Sequence, residues 1–201
     1  MSARMEGQTR KTAGLPPKDG VPLFWYPMRV TYNREMLLKS CLDNLGIECF
    51  VPMKYEMKEG DMASKERLVP AIHNLIFVHS TQETITGLKM GKRDFAPLRY
   101  MMQHCDNGET KIMTVPDREM DNFIKAASIQ DSSLFFADDS DYFSKIGRMV
   151  RITAGQFKDV VGVVKRIKKN RCVVVRIQGI AAVVIANVPS HFVEEIDSAA
   201  S

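Results

Sequence analysis

The first run with strand character is LFWYPMRV, Leu23 to Val30, where aromatic and β-branched residues crowd together. Pro27 cannot donate a ladder hydrogen bond, which predicts an edge position or a bulge there. In YNREMLLKSCLDNLG the period changes. Leu37, Cys41 and Leu45 recur at i, i+4 and i+8 with Leu38 and Leu42 beside them, an apolar stripe on a helix. Asn33 is the expected N-cap and Gly46 the expected C-terminal stop. IECFVP reads as a strand ended by Pro52, and the charged KYEMKEGDMASKERL as an exposed loop or hairpin tip. VPAIHNLIFVHS returns to strand character, with Leu75 to Val78 apolar on both faces and so central in a sheet. TQETITGLK predicts a short helix with Ile85 and Leu88 inward, and residues 90–113 read as irregular with strand-like pieces. VPDREMDNFIKAAS places Pro116 at a first helical turn and Met120, Phe123, Ile124 and Ala127 at helical spacing.

This front part is β-α-β-β-α-β-α, an α+β arrangement of helices on a sheet. Residues 128–144, SIQDSSLFFADDSDYFS, break the pattern with aspartates among serines and read as an acidic linker. From Gly147 onward the helical period is gone. RMVRI, VVGVVKRI, CVVVRI, AAVVIANV and HFVEEI are five short β-rich runs, and a sheet this small is stable when it closes into a barrel. The expected division is a flexible tail at 1–20, a first domain at 21–127, the linker at 128–144, a small β-barrel at 145–197 and a tail at 198–201.

Composition is that of a globular protein, 45% hydrophobic and 26% charged. Charge is unevenly placed. The span from Lys145 to Arg176 holds ten basic residues and one acid, a net +9 against +4 for the whole chain, which leaves −5 elsewhere. Long-range attraction to phosphate therefore acts through the C-terminal part. The cysteines Cys41, Cys49, Cys105 and Cys172 form no CxxC pair and fit reduced thiols in a cytoplasm. The N-terminus lacks the apolar region of a signal peptide, and no run approaches the ~20 apolar residues that span a membrane.

Reaction chemistry is sparse. His73, His79, His104 and His191 have no partner at metal spacing, and no GxSxG, Walker-A lysine or GxGxxG occurs. Asp138, Asp139 and Asp141 lack the glycine and distal glutamate of a calcium loop. The expectation is a monomeric binding protein with no enzymatic activity, metal or cofactor. The run KRIKKNR offers Lys165, Arg166, Lys168, Lys169 and Arg171 to a nucleic-acid backbone, or else is a solvated hairpin turn in which Asn170 takes a left-handed conformation. It has no interleaved aromatic for base stacking.

GRMVRITAGQFKDVVGVVKRI resembles the KOW motif of the bacterial transcription elongation factor NusG family. The matching positions are Gly147, Val150, Ile152, Gly155, Phe157 and Gly162. Gly155 suits a positive-φ turn, Phe157 a barrel plug, and Gly162 a crowded, bent strand. Trp25-Tyr26, the following helix, VP at 51–52, VPAIHNLIFV and VPDREMDNFI are similar in order to the family's N-terminal (NGN) domain.

The resemblance implies an NGN domain, an antiparallel sheet flanked by helices, followed by an SH3-like KOW barrel. It also implies binding to the clamp helices of the largest subunit of RNA polymerase. Carried over by position, the contact face is Tyr26, Ile72, Asn74, Leu75 and Phe77. Two departures point to a specialised antiterminator of the UpxY or RfaH kind, acting on particular operons such as those for surface polysaccharides. The usual FPGY is here Ile72 to Leu75, IHNL. The usual FGR-TPVEL is QGIAAVVIA, with Gln178 in place of the aromatic, which puts contacts with ribosomal protein or Rho in doubt. Nascent RNA, upstream DNA or a ribosomal protein are the further partners implied. A ribosome-associated or RNA-binding KOW protein without polymerase binding is the alternative.

Overall fold

The computed structural model describes residues 21–57, 66–129, 131, 133–138, 147–167 and 170–196. Both expected tails, the tip of the charged loop, Lys168, Lys169, Asp139 and Asp141 lie outside the described residues. In chain order the elements are β1 (Phe24–Val30), α1 (Glu35–Asn44), β2 (Cys49–Phe50), β3 (Met53–Met57), β4 (Glu66–Pro70), β5 (Leu75–Ser80), α2 (Gln82–Gly91), β6 (Leu98–Tyr100), β7 (Met102–His104), β8 (Thr110–Ile112), α3 (Asp117–Ala127), β9 (Leu134–Asp138), β10 (Met149–Ile152), β11 (Val161–Ile167), β12 (Asn170–Ile177), β13 (Ala181–Ala186) and β14 (Val193–Glu195). Among the described residues no helix is long and apolar enough to cross a membrane. The chain divides into two compact units, one of residues 21–51 and 74–114, the other of residues 52–73 and 115–196.

The first unit holds a four-stranded antiparallel sheet in the order β2-β5-β1-β6. Leu75 to Val78 are buried on both faces of β5, as their unbroken apolar run predicts. Strand β1 is interior, not an edge, so the expectation for Pro27 is corrected. Val30 donates to the Asn74 carbonyl, and by alternation the nitrogen of Pro27 faces the β6 side. There the ladder ends, and only the Pro27 carbonyl is used, by the Met101 amide at 3.3 Å. On α1 the inward positions are Leu38 and Leu42, while Leu37 is exposed. Arg34, not Asn33, occupies the N-cap position, and Gly46 ends the helix region with φ 68°. On α2, Ile85 is buried and Leu88 partly so. The β7-β8 hairpin accounts for the strand-like pieces after residue 100.

The second unit contains the hairpin β3-β4, the helix α3 and a six-stranded antiparallel sheet in the order β14-β10-β11-β12-β13-β9. All five runs expected after Gly147 are strands of this sheet. The sixth, β9, comes from the stretch read as a linker. The valine run of β12 is buried on both faces, Val173 and Val175 on one and Cys172 and Val174 on the other. Glycine is required where the backbone is crowded. A methyl on Gly162 would sit 2.7 Å from the Val174 carbonyl oxygen, and one on Gly147 would sit 2.6 Å from that of Val164. Gly155 takes φ 79°, Phe157 is buried, and Val150 and Ile152 point inward from β10.

Helix α3 packs against β12 and β13. Its Asn122 amide imitates a peptide group. Nδ2 donates to the Val161 carbonyl at 2.7 Å, and Oδ1 accepts the Val161 N–H at 2.9 Å. Burial raises the pKa of Glu119 on the same helix, opposed by the Gln178 backbone amide and the Arg176 charge. Asn122→Ala orphans both Val161 groups at once and is expected to lower stability by about 2 kcal/mol, as read by urea denaturation.

Candidate partner-binding surfaces

Of the residues expected to meet a partner, Tyr26, Ile72, Leu75 and Phe77 are buried and Asn74 is partly so. The structure places these four side chains in the interior rather than on an accessible face. The Tyr26 ring meets Tyr100 edge-on at 5.8 Å, and Tyr100 bonds Thr86 and the Gln82 carbonyl on α2. Burial raises the pKa of both phenols, so they remain neutral anchors of helix to sheet.

Asn74 has a different task. Its backbone is left-handed, φ 61°. Its carbonyl accepts the Val30 N–H at 2.9 Å, its Oδ1 accepts the Asn33 N–H at 3.3 Å, and its own N–H donates to the buried carboxylate of Glu35. This network pins the turn between β1 and α1, where Tyr32 and Asn33 also take positive φ of 66° and 51°. For an aromatic side chain that conformation costs about 1–2 kcal/mol. Burial does not offset it, because Tyr32 is 82% exposed. The Arg34 guanidinium lies 5.8 Å from its ring centroid. Met36 and Leu37, in the first turn of α1, are exposed as well. A strained, solvent-facing tyrosine, followed along the chain by two exposed aliphatic side chains, is a candidate contact surface on the first unit. The sequence carried no signal for it, since Leu37 belongs to one of two adjacent apolar stripes on α1 and Tyr32 lies in a polar turn.

The second surface is the hairpin of β11 and β12. Ile167 pairs with Asn170, so Asn170 begins a strand and is not the left-handed residue that was expected. Arg166 and Arg171 stand directly opposite each other, both exposed. Like charges so placed repel, and among the described residues neither has a carboxylate within ion-pair distance. Lys165 lies opposite the buried Cys172 and is half-buried. Among the described residues no group of three or more His, Cys, Asp or Glu could hold a metal ion. Burial pushes the Cys49 thiol up to about 12, which keeps it protonated and unreactive at neutral pH.

Residues 23–124, just over half of the 201-residue chain, match the family described as transcription termination factor NusG. No curated protein matches the chain. The match spans the whole sheet of the first unit, the turn at Tyr32 and most of α3. By that match, and by the element order it covers, the chain belongs to the NusG family of transcription factors.

Proposed function

We propose that this protein is a transcription elongation and antitermination factor that binds RNA polymerase and promotes processive transcription of specific operons. The family match over residues 23–124 carries this reading. Docking is by surface contact, with no reaction chemistry. The first unit meets the clamp helices of the largest polymerase subunit through Tyr32, Met36 and Leu37, three of its exposed apolar side chains. The strands after Gly147 act as a KOW barrel, and Arg166 and Arg171 touch the backbone of nascent RNA or upstream DNA. The departures at Ile72 to Leu75 and at the exposed Gln178 support a specialised paralogue of the UpxY or RfaH kind over the general factor.

Tyr32→Gly separates docking from folding. Glycine relieves the positive φ, so stability stays within about 1 kcal/mol of the wild type. A tyrosine at the centre of a contact contributes about 2 kcal/mol or more, so capture by immobilised clamp helices is expected to fall at least roughly tenfold. Equal capture removes Tyr32 from the contact, and failure of the wild type to be captured removes polymerase from the reading. A second reading, an RNA-binding module without polymerase contact, draws on the opposed arginines. It requires RNA affinity that falls steeply with salt in a protein that ignores the clamp helices.

A further inference from the structure

Strand β13 reads AAVVIA, without a charge, a proline or a bulge. A free edge of that composition is a template for foreign strands. Here it is not free. Strand β9 lies along it, antiparallel, from Leu134 opposite Ile185 to Asp138 opposite Ala181. The Ala186 N–H extends the ladder by donating to the Ser133 carbonyl at 2.8 Å.

The cover and the covered strand are unequally held. Ala181 to Ile185 are exposed by 1% or less, whereas Phe135 is 42% exposed and Leu134, Phe136 and Ala137 are only partly buried. Among the described residues, a polar clasp centred on Asp131 fixes the start of β9. Asp131 accepts the Ser133 N–H at 2.7 Å, the Ser133 hydroxyl and the Gln156 amide. Those hydrogen bonds hold its carboxyl below the usual range. The other five strands of the sheet all come from residues 149–195; β9 alone is supplied from outside that run. The best-buried strand of the unit is thus closed by one in which none of residues 134–137 is fully buried.

We propose that β9 is a displaceable cover: the free protein closes the β13 edge with its own strand, and an extended apolar segment of a partner protein adds to β13 by taking the place of β9. The chemistry of that segment is read from β9 itself. It is a strand of about five residues, its length set by the paired register, with apolar side chains on both faces, Leu134 and Phe136 on one and Phe135 and Ala137 on the other. The inference does not depend on polymerase being a partner.

The test uses the full chain and a fluorescein-labelled peptide of residues 131–138, DSSLFFAD, read by fluorescence anisotropy. The Ala186 to Ser133 bond makes 135/184 and 137/182 the hydrogen-bonded pairs, so Phe135→Pro removes a ladder donor. Ala137→Cys with Ala182→Cys, in a Cys172→Ala background, places two thiols on a pair with Cα atoms about 5.5 Å apart, within disulfide reach. In the wild type, tethered β9 competes at millimolar effective concentration and keeps peptide binding weak. Phe135→Pro is expected to bind the peptide at least tenfold more tightly than the wild type. The oxidised double-cysteine protein is expected not to bind, and reduction to restore wild-type binding. Equal binding by the oxidised and reduced forms, or no gain in Phe135→Pro, overturns the proposal, as does binding to none of the proteins. Should Phe135→Pro fail to fold, the oxidised and reduced comparison decides alone.

Discussion

Gly162→Ala is expected to lower the stability of the C-terminal sheet by about 3 kcal/mol, the upper end of the range for overpacked cores. The added methyl would sit 2.7 Å from the Val174 carbonyl oxygen and 2.7 Å from Cγ1 of Val173. The first is backbone of the neighbouring strand. The second belongs to a fully buried side chain with no room to turn. Neither can yield without separating β11 from β12 in the middle of the sheet, where their spacing is set by hydrogen bonds. Urea denaturation followed by circular dichroism measures the loss. Gly87→Ala on α2 is the control. Its methyl meets nothing within 4 Å, and alanine favours the helix, so no loss is expected there. A Gly162→Ala protein as stable as the wild type would show that the close strand approach is not what glycine serves.

Phe77→Ala is expected to destabilise the protein by about 3–5 kcal/mol, the range for aromatic truncation in a core. Phe77 is fully buried, lies opposite Pro27 on β1 and opposite Phe50 on β2, and belongs to one of the two interior strands of the first sheet. Trp25, the single tryptophan, is buried on β1 with its ring stacked on His79 at 4.8 Å. Its fluorescence therefore reports unfolding of this sheet. A residue that served a partner would behave otherwise: its truncation would weaken capture and leave the Trp25 transition in place. Tyr32→Gly is expected to show that opposite pattern, so the two variants together separate interior from contact surface.

Much of the local architecture was legible along the chain. Runs of valine and isoleucine bounded near Asn170 and Gly179 marked the strands after Gly147, because β-branched residues suit a pleated surface covered on both sides. The helical spacing of Met120 and Phe123 marked α3, and both are fully buried. Less legible was which of two neighbouring stripes turns inward. Leu37 and Leu38 are equally apolar, and only the position of the sheet exposes one and buries the other. Glu35 shows the same limit. Its charge predicts solvent, yet it is buried where the left-handed Asn74 presents an N–H to it.

The candidate contact face shows the limit most clearly. Tyr26, Leu75 and Phe77 have the composition of a docking patch, and that composition is shared by a core. Tyr32 sits in a polar turn that hydrophobic periodicity ignores, and its exposure follows from backbone geometry held by Asn74. Strand β9 was hidden for a related reason. Five residues inside an acidic, serine-rich stretch have little strand signal of their own, and β13 supplies what they lack.

What the chain determined alone was therefore local: the period of its apolar residues, the turns that need glycine and the basic run between two valine strands. Those depend on backbone sterics and neighbours a few residues away. Pairing order, the inward face of α1, the burial of Phe77 and the use of β9 were decided by tertiary structure. Each depends on what stands opposite in space, and residues such as Leu134 and Ile185 meet only once the chain has folded.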